Sequence, residues 1–360
     1  MTMRRRVFVT GSLLAAAGAA AAVWRERLRL DLDLLRDGTP GRGGGEPLPD
    51  GRRLVRGAAL AFGTTVSITA VHGDAAAARA AIDEALRETR RIDALMTVFR
   101  PGSEVSRLNA AGVLPHPDPH LVRVLEFSQR LSALSDGSFD VTVQPLWTLF
   151  VSCARERRLP SRAEIDWARS LVGFAGLEVS RRLLSLRPGM SITLNGIAQG
   201  YATDLASGIL RERGVHDALI DAGEYGAEGA RQPGRPWTVG VQHPRDPSAL
   251  LGAVAMDGRF LATSGDYEAS FSDDRLYHHI FDPHTGVSPT RWSSVVVAAR
   301  TGLEADGLTK PMMVLPPERA QALLSRFPGA GAVFVAKDGR VAASRNVPFT
   351  PAAPSAATPS

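Results

Sequence analysis

Leu194-Asn195-Gly196-Ile197-Ala198-Gln199-Gly200-Tyr201-Ala202-Thr203-Asp204 is a turn of small residues that runs directly into an amphipathic helix, expected from Tyr201 to Arg213. Gly196 and Gly200 carry no Cβ, so a ligand or an ion can come close to the backbone there. The first turn of a helix offers N–H groups without partners inside the helix, and these suit an anion such as a phosphate. The same pattern also serves as a plain turn, so its meaning depends on what accompanies it.

Downstream lie His278-His279-Ile280-Phe281-Asp282-Pro283-His284-Thr285-Gly286 and Glu304-Ala305-Asp306-Gly307-Leu308-Thr309. Upstream are Phe62-Gly63-Thr64-Thr65, Ser103-Glu104-Val105-Ser106-Arg107-Leu108-Asn109 and Asp136-Gly137-Ser138-Phe139-Asp140. Between these turns the periodicity predicts a strand over Arg56–Ala70 and long helices over Asp74–Met96 and Pro119–Leu134. Helices are also expected over Ser161–Val172 and Pro316–Arg326. Further strands are expected at Ala218–Ala222, Trp237–Gln242, Ala253–Met256 and Ser293–Ala299, the last apolar enough to be buried. Gly331–Ala336 and Arg340–Ala343 form a hairpin turning at Asp338-Gly339. Arg275–Phe281 reads as a strand, which sends His278 and His279 to opposite faces. Strands and helices come in mixed order, which favours an α+β fold over a doubly wound parallel sheet.

The chain has 360 residues and is 44% hydrophobic, ample for a sizeable core. Its formal charge of +5 falls to +2 without Arg4, Arg5 and Arg6, and no basic run interleaves with aromatics, so nucleic-acid binding is not inferred. Cys153 stands alone, which excludes an internal disulfide and a cysteine metal site. Arg5-Arg6-Val7-Phe8 before an Ala-rich apolar run to Val23 suits a twin-arginine export signal and a periplasmic location; the alternative is an uncleaved leader that tethers the chain to a membrane. The expected organisation is a leader and start of mature chain over 1–35, a Gly/Pro-rich linker over 36–52, one functional domain over 53–345 and a disordered tail over 346–360.

In order and spacing these motifs resemble the FAD:protein FMN transferases, the ApbE-type flavin transferases, from about Leu60 to Ser344. The resemblance implies mixed, largely antiparallel sheets with packed helices, related to the T-fold, and a flavin nucleotide held in a cleft. It implies FAD as substrate, Mg²⁺, and a flavin-acceptor protein. That partner would be a membrane redox subunit or a regulator of a respiratory reductase, with transient contact with a membrane. The metal would be held by the Gly196 carbonyl and Asp306. Read alone, Asp306 is equally an N-cap or first-turn aspartate. His279 would accept the acceptor hydroxyl's proton or position the flavin phosphate, although adjacent histidines also serve as packing residues. Ser138, Phe139, Asp140, Thr193, Gln199 and Phe99 would hold the nucleotide, with Phe99 at the place of a flavin-stacking aromatic ring.

One departure stands out. The family usually carries Thr four residues after the metal-binding Asp; here that place is Lys310, with Thr309 beside it. An ammonium cannot ligate a metal. Thr309 then substitutes as ligand, or Lys310 binds phosphate directly, or the protein binds FAD without cleaving it. Non-catalytic FAD binding or electron transfer, and FAD pyrophosphatase activity, are therefore the rival functions.

Overall fold

The computed structural model describes residues 45–352. Its frame is a nine-stranded antiparallel sheet in which spatial order follows chain order. The strands are β1 (Glu46–Pro47), β2 (Arg53–Ala61), β3 (Thr64–His72), β4 (Ala218–Asp221) and β5 (Tyr225–Glu228), followed by β6 (Phe260–Gly265), β7 (Trp292–Ala299), β8 (Gly331–Ala336) and β9 (Val341–Ala343). Every pairing is antiparallel. The sheet is thus a meander, with helices and loops inserted at its turns.

Both faces of the sheet are covered, and the period of two sorts the side chains. Along β7, Val295, Val297 and Ala299 enter one apolar cluster while Val296 and Ala298 enter another. The near-continuous apolar run over Ser293–Ala299 has this cause, in an antiparallel setting. One face carries α1 (Ala75–Met96), α6 (Ala198–Glu212) and α7 (Gly302–Val314). The other packs on a three-stranded sheet of Thr238–His243, Asp246–Ala255 and Phe349–Pro351. The remaining helices are α2 (Glu104–Ala111), α3 (Pro119–Leu134), α4 (Gln144–Arg155), α5 (Arg162–Ser170) and α8 (Pro317–Leu324).

Local signals set most boundaries. Asp74 caps α1 by accepting the Ala76 and Ala77 N–H groups, and Ser161 with Glu164 makes a capping box on α5. Three expectations change. Arg56–Ala70 is two strands, because Phe62 and Gly63 both take positive φ and make a tight hairpin. Arg275–Phe281 is a loop with a single bridge between Ser270 and His278. Glu46–Pro47 and Phe349–Pro351 are strands where linker and tail are expected, since open sheet edges give their backbones partners. The leader, residues 36–44 of the linker and the last eight residues of the tail lie outside the described residues. Among the described residues no helix is long and apolar enough to cross a membrane.

Candidate active site

Helices α6 and α7 cross at two glycines. A Cβ on Gly200 would lie 2.1 Å from the Gly302 carbonyl oxygen, so only glycine allows the approach. At this crossing each helix supplies the other with an aspartate. Asp204 of α6 accepts the Gly302 and Leu303 N–H groups, at 2.5 and 2.9 Å, and so satisfies the start of α7. Asp306 of α7, 1% exposed, accepts the Gly200 N–H at 3.0 Å in the first turn of α6. The anion at this helix N-terminus is therefore one of the protein's own carboxylates.

The other Asp306 carboxylate oxygen accepts from the Lys310 ammonium, which also donates to the Asp306 carbonyl oxygen at 3.2 Å. The Lys310 stem lies over Gly196, where a Cβ would fall 2.5 Å from its Cε. Thr309 is turned away: fully buried, it donates to the Asp306 carbonyl oxygen at 2.7 Å and accepts from the Ser264 hydroxyl at 2.8 Å.

Lys310, Gly196 and Ser264 border a cavity of about 420 Å³, the size of a small-molecule site. The β2–β3 hairpin brings Phe62 and Thr64 to it, and the segment after α3 brings Ser138, Phe139 and Asp140. The turn before α6 brings Thr193, Asn195 and Gly196, the first turn of α6 Gln199, the β4–β5 turn Glu224, the end of β6 Ser264, and the following loop His279. Of the site residues expected from sequence, Ser138, Phe139, Asp140, Thr193, Gln199, Gly196 and His279 line this one cavity, and Asp306 sits behind Lys310. Two do not join them. Thr309 is buried as described, and Phe99 is 72% exposed on the loop after α1, so it presents no ring to the cavity. The rings that do are Phe62, Phe139, Trp147 and Phe281.

Several residues are held by their own bonds. Asp140 accepts from Thr142 through its N–H and its hydroxyl, at 2.8 and 2.7 Å, and from the Phe174 N–H at 2.8 Å. Gln199 donates to the Ala222 carbonyl oxygen at 2.7 Å and so pins the β4–β5 turn. Asp282 closes its own turn through the His284 N–H and the Thr285 hydroxyl, and His284 ties that turn to the Asp136 carbonyl. Behind the His279 loop, fully buried Asp266 accepts two bonds from Arg245 and one from Lys337, which fixes where the loop leaves β6. Burial alone would raise the Asp266 pKa; the Arg245 and Lys337 bonds outweigh it and hold the carboxyl below the usual range.

The two histidines differ sharply. His278 is fully buried with Nε2 3.0 Å from the Pro289 carbonyl oxygen and Nδ1 3.4 Å from the Ile280 nitrogen. His279 faces the cavity with a buried Nδ1 that has no hydrogen-bond partner. Burial, then the neighbouring His278 and Lys310, lower its pKa to about 4, so the ring is neutral at pH 7. That nitrogen can accept a proton or a hydrogen bond from a ligand.

Sequence reasoning missed Glu224 and Trp147. Glu224 accepts the Thr263 N–H at 3.1 Å, and burial followed by the Asp306 charge pushes its pKa well above the ordinary carboxylate value. Gly223 beside it was the available signal for a turn at a sheet end. Nothing in the spacing marked Trp147.

Asp306 was the expected metal ligand together with Gly196 and Thr309. Here both Asp306 carboxylate oxygens and the Thr309 hydroxyl are engaged, and an ammonium lies on the carboxylate. This donor set does not fit a divalent cation at Asp306.

An antiparallel meander, reciprocal helix caps and a cavity lined by both a neutral histidine and an anchored lysine make up the candidate site. The family model of the ApbE family matches residues 62–334, and the chain belongs to that family. It is 30% identical to the FAD:protein FMN transferase of Klebsiella pneumoniae (strain 342), over 77% of this chain and 83% of that protein. The crystal structure of the ApbE protein of Thermotoga maritima superposes with a TM-score of 0.72 at 27% identity, over 81% of this chain and 97% of that one. The flavin transferase ApbE of Vibrio cholerae gives a TM-score of 0.69 at 26% identity, over 82% and 98%.

Proposed function

We propose that this protein is an FAD:protein FMN transferase that attaches FMN to a threonine of a partner protein and releases AMP. The observation that carries this reading is one cavity, at the start of α6, lined by both His279, neutral and with an unpartnered ring nitrogen, and Lys310. The threonine hydroxyl oxygen attacks the FMN phosphorus, and the bond from that phosphorus to the bridging oxygen breaks. AMP leaves with the electron pair, and the His279 ring takes the hydroxyl proton. FAD and a protein hydroxyl thus become FMN-protein and AMP, with no further reactant. A positioned base contributes roughly 10²–10⁴ in rate. Mg²⁺ is the cation the family resemblance implies; the Asp306 carboxylate, its expected ligand, already accepts from the Gly200 N–H and the Lys310 ammonium.

Export through the leader's Arg5-Arg6 pair, and an acceptor among membrane redox subunits or respiratory reductase regulators, complete the reading. The test mixes the mature protein with FAD and a threonine-containing acceptor fragment and follows intact mass and AMP. Covalent gain of FMN with release of AMP is expected. AMP with free FMN and no mass gain would mean that water is the nucleophile and the protein is a pyrophosphatase. Bound FAD with neither product would make it a flavin binder.

A further inference from the structure

We infer that Lys310 is the resident cation of the active site: its ammonium binds the FAD pyrophosphate directly and takes the place of a divalent metal. This rests on the reading of the cavity as the FAD site. Lys310 is the only lysine or arginine among the described residues that line the cavity, which also holds Glu224 and Glu268. A ligand carrying two phosphate charges therefore meets one cationic side chain there.

The ammonium is placed, not loose. It donates to an Asp306 carboxylate oxygen and to the Asp306 carbonyl oxygen at 3.2 Å, and its stem is seated over Gly196. Two of three N–H donors are then used and one is left for a phosphate oxygen. The Asp306 charge is shared with the Gly200 N–H and the positive end of α6, so the pair does not cancel the lysine's attraction for an anion. Asp306 is in this arrangement a positioning residue, and Thr309 completes the backbone of α7 by bonding the same carbonyl that Lys310 uses. In the reaction Lys310 stabilises charge on the non-bridging oxygens as the phosphorus–oxygen bond to AMP breaks, and it exchanges no proton.

Binding and transfer are measured separately. FAD and riboflavin affinities are titrated by flavin fluorescence with EDTA and with Mg²⁺, for wild type, Lys310→Met and Lys310→Thr, with a melting curve on each protein. Wild type is expected to bind FAD within twofold the same in both buffers. Lys310→Met is expected to lose about ten- to a hundredfold in FAD affinity while riboflavin, which lacks phosphate, is unaffected. Lys310→Thr is expected to bind FAD tightly only with Mg²⁺. The inference is overturned if Mg²⁺ tightens wild-type FAD binding tenfold or more. Equal loss for FAD and riboflavin in Lys310→Met also overturns it, since that marks a structural role. The wild-type comparison needs no variant to fold. Intact-mass transfer assays in the same buffers then separate the two ideas: the expected binding pattern without transfer sinks the proposed function and leaves Lys310 as the phosphate cation. Transfer that EDTA abolishes and Mg²⁺ restores sinks the inference and leaves the function.

Discussion

His279 has a reactive nitrogen because its neighbour has none to spare. His278 spends both ring nitrogens on the Pro289 carbonyl and the Ile280 N–H, so the loop is held by one histidine and the other is free to face the cavity. His279→Ala is expected to lower the transfer rate by roughly 10²–10⁴ with FAD affinity changed less than tenfold; a rate within threefold of wild type would remove His279 from the chemistry. Two buried groups also set a pH dependence with opposite signs. Burial raises Asp204 to about 6, so the folded chain holds this proton longer than the unfolded chain, whose Asp titrates near ~4. That contribution to stability is full below the unfolded value and is lost as pH rises to 6. His279 is lowered to about 4, against ~6.5 in an unfolded chain, so its contribution is present above ~6.5 and lost as pH falls towards 4. His279→Gln removes only the second slope. Relative to wild type, its urea unfolding free energy should improve by about 1–3 kcal/mol between pH 7 and pH 4.5; a difference that does not move with pH would contradict this.

At the scale of elements, the α6–α7 crossing links fold to site. The helices approach closely enough for Gly200 to give its N–H to Asp306 and for Asp204 to satisfy the start of α7. Gly200→Ala puts a methyl 2.1 Å from the Gly302 oxygen and 2.6 Å from Asp306 Cβ, and both neighbours are backbone or buried. The crossing must open, at a cost of about 3 kcal/mol or more, and the Asp306–Lys310 pair moves with it. Chemical denaturation should show the loss together with weaker FAD binding. Unchanged stability would mean that the crossing is not tight. The Gly200 N–H, one of the donors that suit an external anion, is taken by the Asp306 carboxylate. Small residues announce a close approach, but not which backbone or side chain makes it.

For the whole molecule, the consequence of a meander is that sites separated along the chain meet at one end of the sheet. The turn at Phe62, the turn at Gly223 and the end of β6 share a border of the cavity because their strands follow one another across the sheet. The far face is closed by a three-stranded sheet whose last strand, Phe349–Pro351, pairs with Gly252–Val254. Val347 is buried in the cluster of that face and Phe349 packs on it. A chain ended at Arg345 should lose about 3 kcal/mol, the burial of roughly two apolar side chains, and keep its FAD affinity. Urea unfolding and a flavin titration check the two halves; a loss of FAD affinity beyond threefold would show that this face supports the site.

The kind of many elements was legible in the sequence because burial leaves a local period, although the helices Glu104–Ala111 and Gln144–Arg155 were not expected. Val295 to Ala299, the Pro119–Leu134 helix and the hairpin at Asp338-Gly339 needed no knowledge of distant residues. The glycine-bearing turns, His279, Asp306 and the displacement of a threonine by Lys310 were equally visible, since each is a matter of residue type and spacing. What the tertiary structure alone decided is which groups share space. Glu224 and Trp147 enter the cavity, Phe99 and Thr309 stay out of it, Glu46–Pro47 and Phe349–Pro351 become strands, and the only two lysines of the chain each settle on a buried aspartate. Those outcomes depend on helix crossings and sheet edges that join residues far apart along the chain, and a hydrogen bond or ion pair across such a distance leaves no period in the sequence.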